Sequence, residues 1–272
     1  MNPARVERHV CPACRSNRLV LRAGAGPAPD RVETGVIECG GCGASYPVER
    51  GIPRFVPATN YAASFGFQWN IHARTQLDSH SGRPISHDRL WAALGGKADM
   101  TAQRVLEAGS GAGRFTEVLM ASGADVTTFD YSSAVDANAA NQVPSPRLHL
   151  FQGDIFNIPL PEASFDTVVC LGVLQHTPDP EAAFISLARY VKPGGQLVVD
   201  VYARSAAALL QWKYLLRPVT RRMRKETLYR LIEAVTPPLV PVARVLRKIL
   251  GRAGARLVPI VEYSHLGLPP AL

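Results

Sequence analysis

The stretch at 105–115, VLEAGSGAGRF, places three glycines at alternate positions directly after an apolar run. A dinucleotide-binding turn has the pattern GxGxxG, and the place of its third glycine is taken here by Arg114. Glu107 stands two positions before the first glycine, Gly109. Because a pyrophosphate prefers backbone amides and positive potential, this carboxylate argues against a phosphate ligand. The turn therefore predicts a ligand with a cationic end.

Short apolar runs alternate with helical stretches after residue 103, which is typical of an α/β fold with a parallel sheet. Pro193-Gly194-Gly195 predicts a loop before the last strand. The expected architecture is a doubly wound, Rossmann-like, mostly parallel sheet. Its predicted strands cover 104–108, 126–129, 148–151, 167–171 and 196–202, and two of its helices cover 114–122 and 133–141.

Acidic residues follow the second and third predicted strands. Asp130 lies 21 positions after Gly109, where a carboxylate can accept both hydroxyls of a ribose. Asp154 can accept from an adenine amino group while Ile155 packs on the ring, although a simple turn or cap also explains Asp154 alone. The predicted ligand has adenine, ribose and a positive amino acid tail, without phosphate.

Four motifs in order carry a family resemblance: VLEAGSGAGRF, VTTFDYS, GDIFNIPLPEASFDTVVCLGVLQHTPDP and LARYVKPGGQLVVDVY. Together they resemble the class I S-adenosylmethionine-dependent methyltransferases over about residues 103–202. The resemblance implies a seven-stranded type of sheet and S-adenosylmethionine as methyl donor. It implies a cofactor site formed by Glu107, Gly109, Ser110, Gly111, Gly113, Asp130, Tyr131, Asp154, Ile155, Leu171 and Gly172.

His176, in GVLQHTPDP, is the candidate catalytic base for an acceptor that must lose a proton. The alternative is a residue that orients the loop or touches the cofactor, and the sequence leaves both open.

The amino-terminal part contains two CxxC pairs, Cys11-Pro-Ala-Cys14 and Cys39-Gly-Gly-Cys42. Four thiolates suit a closed tetrahedral Zn²⁺ site, which predicts a structural zinc and no catalytic metal. With YPVERGIPRF, these knuckles resemble the zinc ribbon of the Trm112 family, small zinc proteins that support methyltransferases. An rRNA guanine methyltransferase type also begins with a cysteine zinc site, which keeps RNA among the candidate substrates.

The chain divides into five predicted parts. Aromatic residues such as Phe65, Phe67 and Trp69 make the second part a linker or a lid over a ligand pocket. The parts are a zinc ribbon at 1–57, the linker or lid at 58–102, a methyltransferase core at 103–203, basic helices at 204–256, and a strand or tail at 257–272.

The basic segment 204–256 holds thirteen Lys or Arg against two Glu, so it carries the whole positive charge of a chain whose net charge is +8. Apolar residues at helical spacing predict two or three helices, interrupted by prolines at 218, 237, 238 and 241. Three interpretations are open: a solvated helix face, attraction of an anionic acceptor such as RNA, or binding to an acidic membrane.

Composition favours a globular protein, because 47% of the residues are hydrophobic and no uninterrupted apolar run reaches membrane-spanning length. The start of the chain lacks a secretory apolar core, so we expect a cytoplasmic protein. The sequence as a whole predicts methyl transfer from S-adenosylmethionine to a small organic acceptor. An RNA methyltransferase and a non-catalytic cofactor-binding scaffold are the alternatives.

Overall fold

The computed structural model describes residues 3–24, 32–57, 60–96, 99–201, 212–255 and 257–258. The chain divides into two compact units, Met1–Tyr202 and Ala203–Leu272. The cysteine pairs, the aromatic segment and the predicted methyltransferase core all belong to the first unit.

The first unit begins with a 3-10 helix, Pro3–Arg8, and a small antiparallel sheet. Cys39 lies at the end of the second strand and pairs with Leu19, which brings the second CxxC pair beside the first. The strands follow one another in the order β1-β2-β3-β4: β1 is Leu19–Ala23, β2 Gly35–Cys39, β3 Ser45–Glu49 and β4 Ile52–Pro53.

Three helices connect the two sheets: α1 (Ala63–Ile71), α2 (Asp78–Ser81) and α3 (Ile85–Ala93). Asp78 fixes the start of α3, because its two carboxylate oxygens accept hydrogen bonds from the backbone N–H groups of Ser86 and His87 at 2.9 and 2.8 Å. These interactions satisfy N–H groups at the beginning of the helix that have no partner within it.

The second sheet is parallel and five-stranded, in the order β7-β6-β5-β8-β9. Because side chains on both faces of the central strands are buried, these strands are apolar along most of their length. The predicted α/β fold is confirmed. The strands are β5 (Arg104–Ala108), β6 (Asp125–Asp130), β7 (Leu148–Gln152), β8 (Phe165–Cys170) and β9 (Val191–Val199), with helices α4 (Arg114–Ala121), α5 (Ala134–Asn141) and α6 (Pro180–Ala188).

One local prediction within this sheet is wrong. Pro193-Gly194-Gly195, predicted as a loop, lies inside β9, where the pairing with β8 shifts register between Phe165 and Thr167. Such an irregularity accommodates a proline, which has no N–H for the ladder. Of the strand or tail predicted at 257–272, residues 259–272 lie outside the described residues, as does Tyr202 of the predicted fifth strand.

The small sheet and the large sheet share one hydrophobic core. Ile37 and Val48 from the small sheet belong to the same buried cluster as Phe129 and Phe151 from the large one. The rings of Phe129 and Phe151 stack at 5.1 Å between centroids. The apolar surface of the cysteine-bearing sheet is therefore buried against the parallel sheet, which contributes to the stability of both.

The second unit contains α7 (Trp212–Thr220) and α8 (Lys225–Ala255), with a non-helical residue at Gly251. Of the two or three helices predicted at 204–256, two are present among the described residues. Pro218 lies inside α7, and Pro237, Pro238 and Pro241 lie inside α8 instead of interrupting it. The fixed φ of proline is compatible with helix geometry, so each ring removes a backbone hydrogen bond without ending the helix here. No helix among the described residues combines the length and apolar character needed to cross a bilayer.

Candidate active site

The glycine turn lies at the carboxyl end of β5, where the strand order reverses between β5 and β8. Ligands of open α/β sheets bind outside the strand ends at such a switch point. Gly109 and Gly113 have φ angles of +78° and +94°. A Cβ on Gly109 would lie 2.3 Å from Val173 Cγ2, and one on Gly113 would lie 2.3 Å from Asn138 Oδ1. Only glycine fits either position.

Glu107 is buried beneath this turn, and its two carboxylate oxygens differ. Oε2 accepts hydrogen bonds from the hydroxyls of Thr116 at 2.5 Å and Thr128 at 2.8 Å. Oε1 is buried without a hydrogen-bond partner among the described residues. Burial raises the pKa of Glu107 to about 7, against the lowering effect of the two threonine hydroxyls. An unpartnered buried oxygen is costly, so a cationic donor bound here would be favoured.

Asp130, at the end of β6, is bonded to the turn itself. Its Oδ2 accepts from the backbone N–H of Gly111 at 2.9 Å, and its Oδ1 accepts from the backbone and hydroxyl of Ser132 at 2.8 and 2.7 Å. Burial raises the pKa of Asp130 above its usual value, while these hydrogen bonds oppose the shift. Because a carboxylate oxygen accepts more than one hydrogen bond, the side chain can still bind hydroxyl groups.

The turn and the neighbouring strand are joined through the main chain as well. The backbone N–H groups of Gly109 and Ser110 both donate to the carbonyl of Phe129, at 2.8 and 3.0 Å. The structure thus brings together Glu107, the glycine turn and Asp130, which the sequence predicted as parts of one site.

Aromatic rings cover the next part of this edge. Tyr61 stacks on Tyr131, with 4.8 Å between ring centroids, and Asn60 Nδ2 donates to the Tyr131 carbonyl at 3.0 Å. Burial raises the pKa of Tyr61 to about 12, with the negative charges of Asp154 and Asp130 adding to the effect.

Asp154 and Ile155 have structural contacts of their own. Asp154 Oδ1 accepts from the backbone N–H of Phe156 at 2.9 Å, so this carboxylate closes a turn. Ile155 is buried in the core, and its carbonyl accepts from the Ser186 hydroxyl at 2.6 Å. These contacts agree with the turn interpretation of Asp154, and the adenine-binding role stays a prediction.

Helix α1 lies over the glycine turn and the loop after β6. Trp69 Nε1 is 3.5 Å from the place a Cβ on Gly111 would take, and a Cβ on Gly66 would come within 2.3 Å of Ser133 Oγ. Asn70 Nδ2 donates to the Ser133 carbonyl at 3.0 Å. This packing favours the lid interpretation of the aromatic segment over the linker.

The residues after β8 face the same edge. Leu171 is buried, and the backbone N–H of Gly172 donates to the Asp200 carboxylate. His176 ends a short 3-10 helix, Leu174–His176, and its exposed ring lies 5.1 Å from that of Phe65 in α1. His176 therefore lies beside α1, while its role as a base stays a prediction.

An arginine cluster that the sequence did not single out borders Gly172. Arg89 forms an ion pair with Asp200, and the guanidinium groups of Arg89 and Arg114 lie 5.6 and 4.7 Å from the centre of the Phe115 ring. Burial and the positive charge of Arg89 lower the pKa of Arg114. No local sequence pattern indicates this cluster, because Arg89 lies in α3 while Asp200 follows the end of β9.

Arg54 connects the cysteine-bearing sheet to the edge of the parallel sheet that carries Tyr131 and Gln152. It is buried, and its guanidinium donates to Asp136 Oδ1 at 2.6 Å and to Gln152 Oε1 at 3.2 Å. Gln152 Nε2 in turn donates to the Tyr131 carbonyl at 3.0 Å, and Arg50 forms a second ion pair with Asp136 at 2.8 Å. Sequence reasoning missed Arg54, although it lies inside the quoted YPVERGIPRF motif.

The four predicted zinc ligands come together. The Sγ atoms of Cys11, Cys14, Cys39 and Cys42 all lie within 4.8 Å of one another, with 3.7 Å between Cys11 and Cys42 and 3.6 Å between Cys14 and Cys39. Zn–S bonds of about 2.3 Å in a tetrahedron place sulfurs about 3.8 Å apart. The donor set and its spacing therefore fit a closed zinc site.

Comparison with known proteins agrees with this geometry. The family described as "Methyltransferase domain" matches residues 106–199. A ubiquinone biosynthesis O-methyltransferase of Xanthomonas oryzae pv. oryzae is 32% identical over 156 residues, covering 54% of this chain and 61% of that protein. The one from Alkalilimnicola ehrlichii is 34% identical over 152 residues, covering 51% and 58%. The chain thus spans about three fifths of the length of these curated relatives.

Among solved structures, a complex between the Haloferax volcanii Trm112 methyltransferase activator and a methyltransferase is similar at 22% identity and a TM-score of 0.44, covering 55% of this chain and 65% of that one. The sequence match at 106–199 spans the glycine turn, Asp130 and the ends of the parallel strands. Residues 106–199 therefore match the methyltransferase domain family, which agrees with the resemblance to the class I S-adenosylmethionine-dependent methyltransferases.

Proposed function

We propose that this protein is an enzyme that transfers a methyl group from S-adenosylmethionine to a small organic acceptor. The observation that carries the proposal is Glu107 Oε1, a buried oxygen without a hydrogen-bond partner among the described residues, beneath the glycine turn of a methyltransferase domain. The amino group at the methionyl end of the cofactor would supply the missing donor. A charged donor and acceptor make a stronger hydrogen bond than a neutral pair.

The adenosine end would lie along the edge from Asp130 to Asp154. Asp130 is held by Gly111 and Ser132, so its carboxylate is already oriented when a ribose hydroxyl arrives. Tyr131 and Tyr61 form a stacked wall beside it. Orientation before binding lowers the entropy lost on binding, which supports a specific site for a nucleoside here.

The reaction requires little chemistry from the protein, because the sulfonium of S-adenosylmethionine supplies a methyl group that is already activated. The chain must hold the acceptor in line and exclude water. Helix α1 serves the second task in this proposal, since it packs on Gly111 and Ser133. His176 would accept the proton of a hydroxyl acceptor. The similar proteins named O-methyltransferases support an acceptor that offers oxygen.

We also propose that the four cysteines hold one structural Zn²⁺. Four thiolates would complete its coordination, so the metal would stabilise the small sheet and take no part in methyl transfer. Through Arg54, this sheet contacts Gln152 and Asp136 at the cofactor edge.

Calorimetric titration of the full chain with S-adenosylhomocysteine at pH 8 tests the cofactor site. We expect Glu107→Gln to weaken binding about 10- to 100-fold, since hydrogen bonds to charged groups contribute about 1.5–3 kcal/mol. Glu181→Gln, at an exposed position in α6, is the matched control and should bind like the wild type. Equal affinity of the wild type and Glu107→Gln would contradict the proposed site.

A further inference from the structure

Helix α8 carries an apolar stripe on its exposed surface. Its members are spaced by four, seven, three and four residues, which places them along one side of a helix. They are 43–70% exposed, whereas Ala243, on another side of α8, is buried. The apolar stripe consists of Leu231, Val235, Val242, Val245 and Ile249.

A basic border runs beside the apolar stripe. At 100° per residue, Arg230 and Lys248 fall on the same line of the helix, next to the stripe, and both are exposed. Residues 212–255 contain eleven Lys or Arg and two Glu, with no Asp. The unit therefore combines exposed apolar surface with a large excess of positive charge.

Helix α7 repeats this combination. Leu215, Leu216 and Val219 are exposed, and Arg221 and Arg222 follow the end of the helix. Exposed apolar residues on both helices exceed what isolated surface residues explain, and contiguous patches of this kind mark interaction sites.

We propose that α7 and α8 bind the surface of a bilayer that contains anionic lipids, lying in the plane of the interface. Such a surface accepts both features at once, because apolar side chains enter the acyl boundary while Lys and Arg contact anionic headgroups. Residues 225–250 of α8, before the non-helical Gly251, extend for about 39 Å, and the three prolines leave this part helical. Amphipathic helices of this length are common at membrane interfaces.

Two other occupants explain less of the surface. Single-stranded RNA would neutralise the basic residues but leave the apolar stripe in water. A second copy of the chain would cover the apolar stripe but bring together two segments that are both strongly positive. An anionic bilayer would contact both the apolar stripe and the basic residues. If the proposed function holds, membrane binding would give the enzyme access to acceptors held at the bilayer.

The test is sedimentation of the full chain with vesicles, measured without S-adenosylmethionine. We expect binding to equimolar phosphatidylglycerol and phosphatidylcholine vesicles at least tenfold tighter than to phosphatidylcholine alone, and weaker in 0.5 M NaCl. A triple variant of the apolar stripe, Leu231→Gln with Val245→Gln and Ile249→Gln, should reduce binding at least tenfold.

The matched control replaces three exposed apolar residues of the first unit, Val20→Gln with Val143→Gln and Ile185→Gln, and should bind vesicles like the wild type. Circular dichroism and S-adenosylhomocysteine binding check that both variants are folded. A double charge variant, Arg230→Gln with Lys248→Gln, should weaken binding to the vesicles that contain phosphatidylglycerol. Its binding to vesicles of phosphatidylcholine alone should not change.

Three results would overturn the proposal. They are equal binding to both vesicle types, unchanged binding by the triple variant, and a dimer that the triple variant dissociates without any vesicle binding. Binding of single-stranded RNA in place of vesicles would equally exclude it. Because vesicle binding is measured without the cofactor, its failure leaves methyl transfer untested, and a failure of methyl transfer leaves vesicle binding standing.

Discussion

Replacing Glu107 by Gln should change how the stability of the ligand-free protein depends on pH. The pKa of Glu107 is raised by burial from its usual 4.5 to about 7. The folded protein therefore holds this proton more tightly than the unfolded chain, so stability is greatest when the carboxyl is protonated. As pH rises from 4.5 through 7, the wild type loses this contribution, while Glu107→Gln has no proton to lose.

The magnitude follows from the size of the shift. The rise of the Glu107 pKa from 4.5 to about 7 corresponds to about 3 kcal/mol when complete. Part of this change has already occurred at pH 5, so about 2 to 3 kcal/mol remains between pH 5 and pH 8. The free energy of unfolding of Glu107→Gln minus that of the wild type should rise by this amount over that range.

Urea unfolding at pH 5, 6, 7 and 8 measures this difference, and other titrating groups cancel between the two proteins. Any constant cost of placing an amide at this position also cancels, because only the change with pH is compared. Glu181→Gln, on the exposed surface of α6, should show no such dependence. A difference between Glu107→Gln and the wild type that stays within about 0.5 kcal/mol from pH 5 to pH 8 would refute the account of Glu107.

Four further changes test other parts of the site. Asp130→Asn should weaken S-adenosylhomocysteine binding about tenfold or more in calorimetry, because the ribose loses a charged acceptor. Arg54→Met should lower the free energy of unfolding, measured in urea, by about 3 kcal/mol, since it leaves Asp136 and Gln152 short of a donor. Arg50→Met, which removes an exposed partner of Asp136, should lower it by less than about 1 kcal/mol. Elemental analysis should find one zinc per chain, and chelation should lower the melting temperature. His176→Ala should lower kcat while leaving S-adenosylhomocysteine affinity unchanged.

Each of these expectations has a result that would contradict it. Unchanged affinity of Asp130→Asn for S-adenosylhomocysteine would contradict the proposed contact between Asp130 and the ribose. Equal losses for Arg54→Met and Arg50→Met would show that the buried contacts of Arg54 contribute nothing special. A metal-free protein with an unchanged melting temperature would exclude a structural zinc, and unchanged kcat in His176→Ala with an identified acceptor would exclude the base.

The sequence predicted the parallel sheet well, because each strand and glycine turn has a local signal. Apolar runs followed by turn residues located four of the parallel strands to within about two residues, and the start of β9 was misplaced. The alternate glycines located the turn at Gly109 and Gly113, where a positive φ and close contacts to a Cβ together require glycine. The CxxC spacing likewise predicted, before the fold was known, that the four cysteine sulfurs lie together.

The sequence could not show the contacts that join distant segments. Arg54 reaches Asp136, 82 positions further along the chain, and Arg89 reaches Asp200, 111 positions further. Neither pair has a spacing rule, because tertiary packing alone brings the partners together. The position of α1 over the glycine turn has the same origin, since its sequence was consistent with a linker as well as a lid. The sequence also predicted that Pro237, Pro238 and Pro241 interrupt the helical segment, whereas all three lie inside α8.

Transfer of label from methyl-labelled S-adenosylmethionine to fractionated cell extract tests the central claim most directly. The wild type and Glu181→Gln should place label in the small-molecule fraction, and Glu107→Gln should place little or none there. Label that appears in the RNA or protein fraction instead, or in no fraction at all, would contradict the proposed transfer to a small organic acceptor.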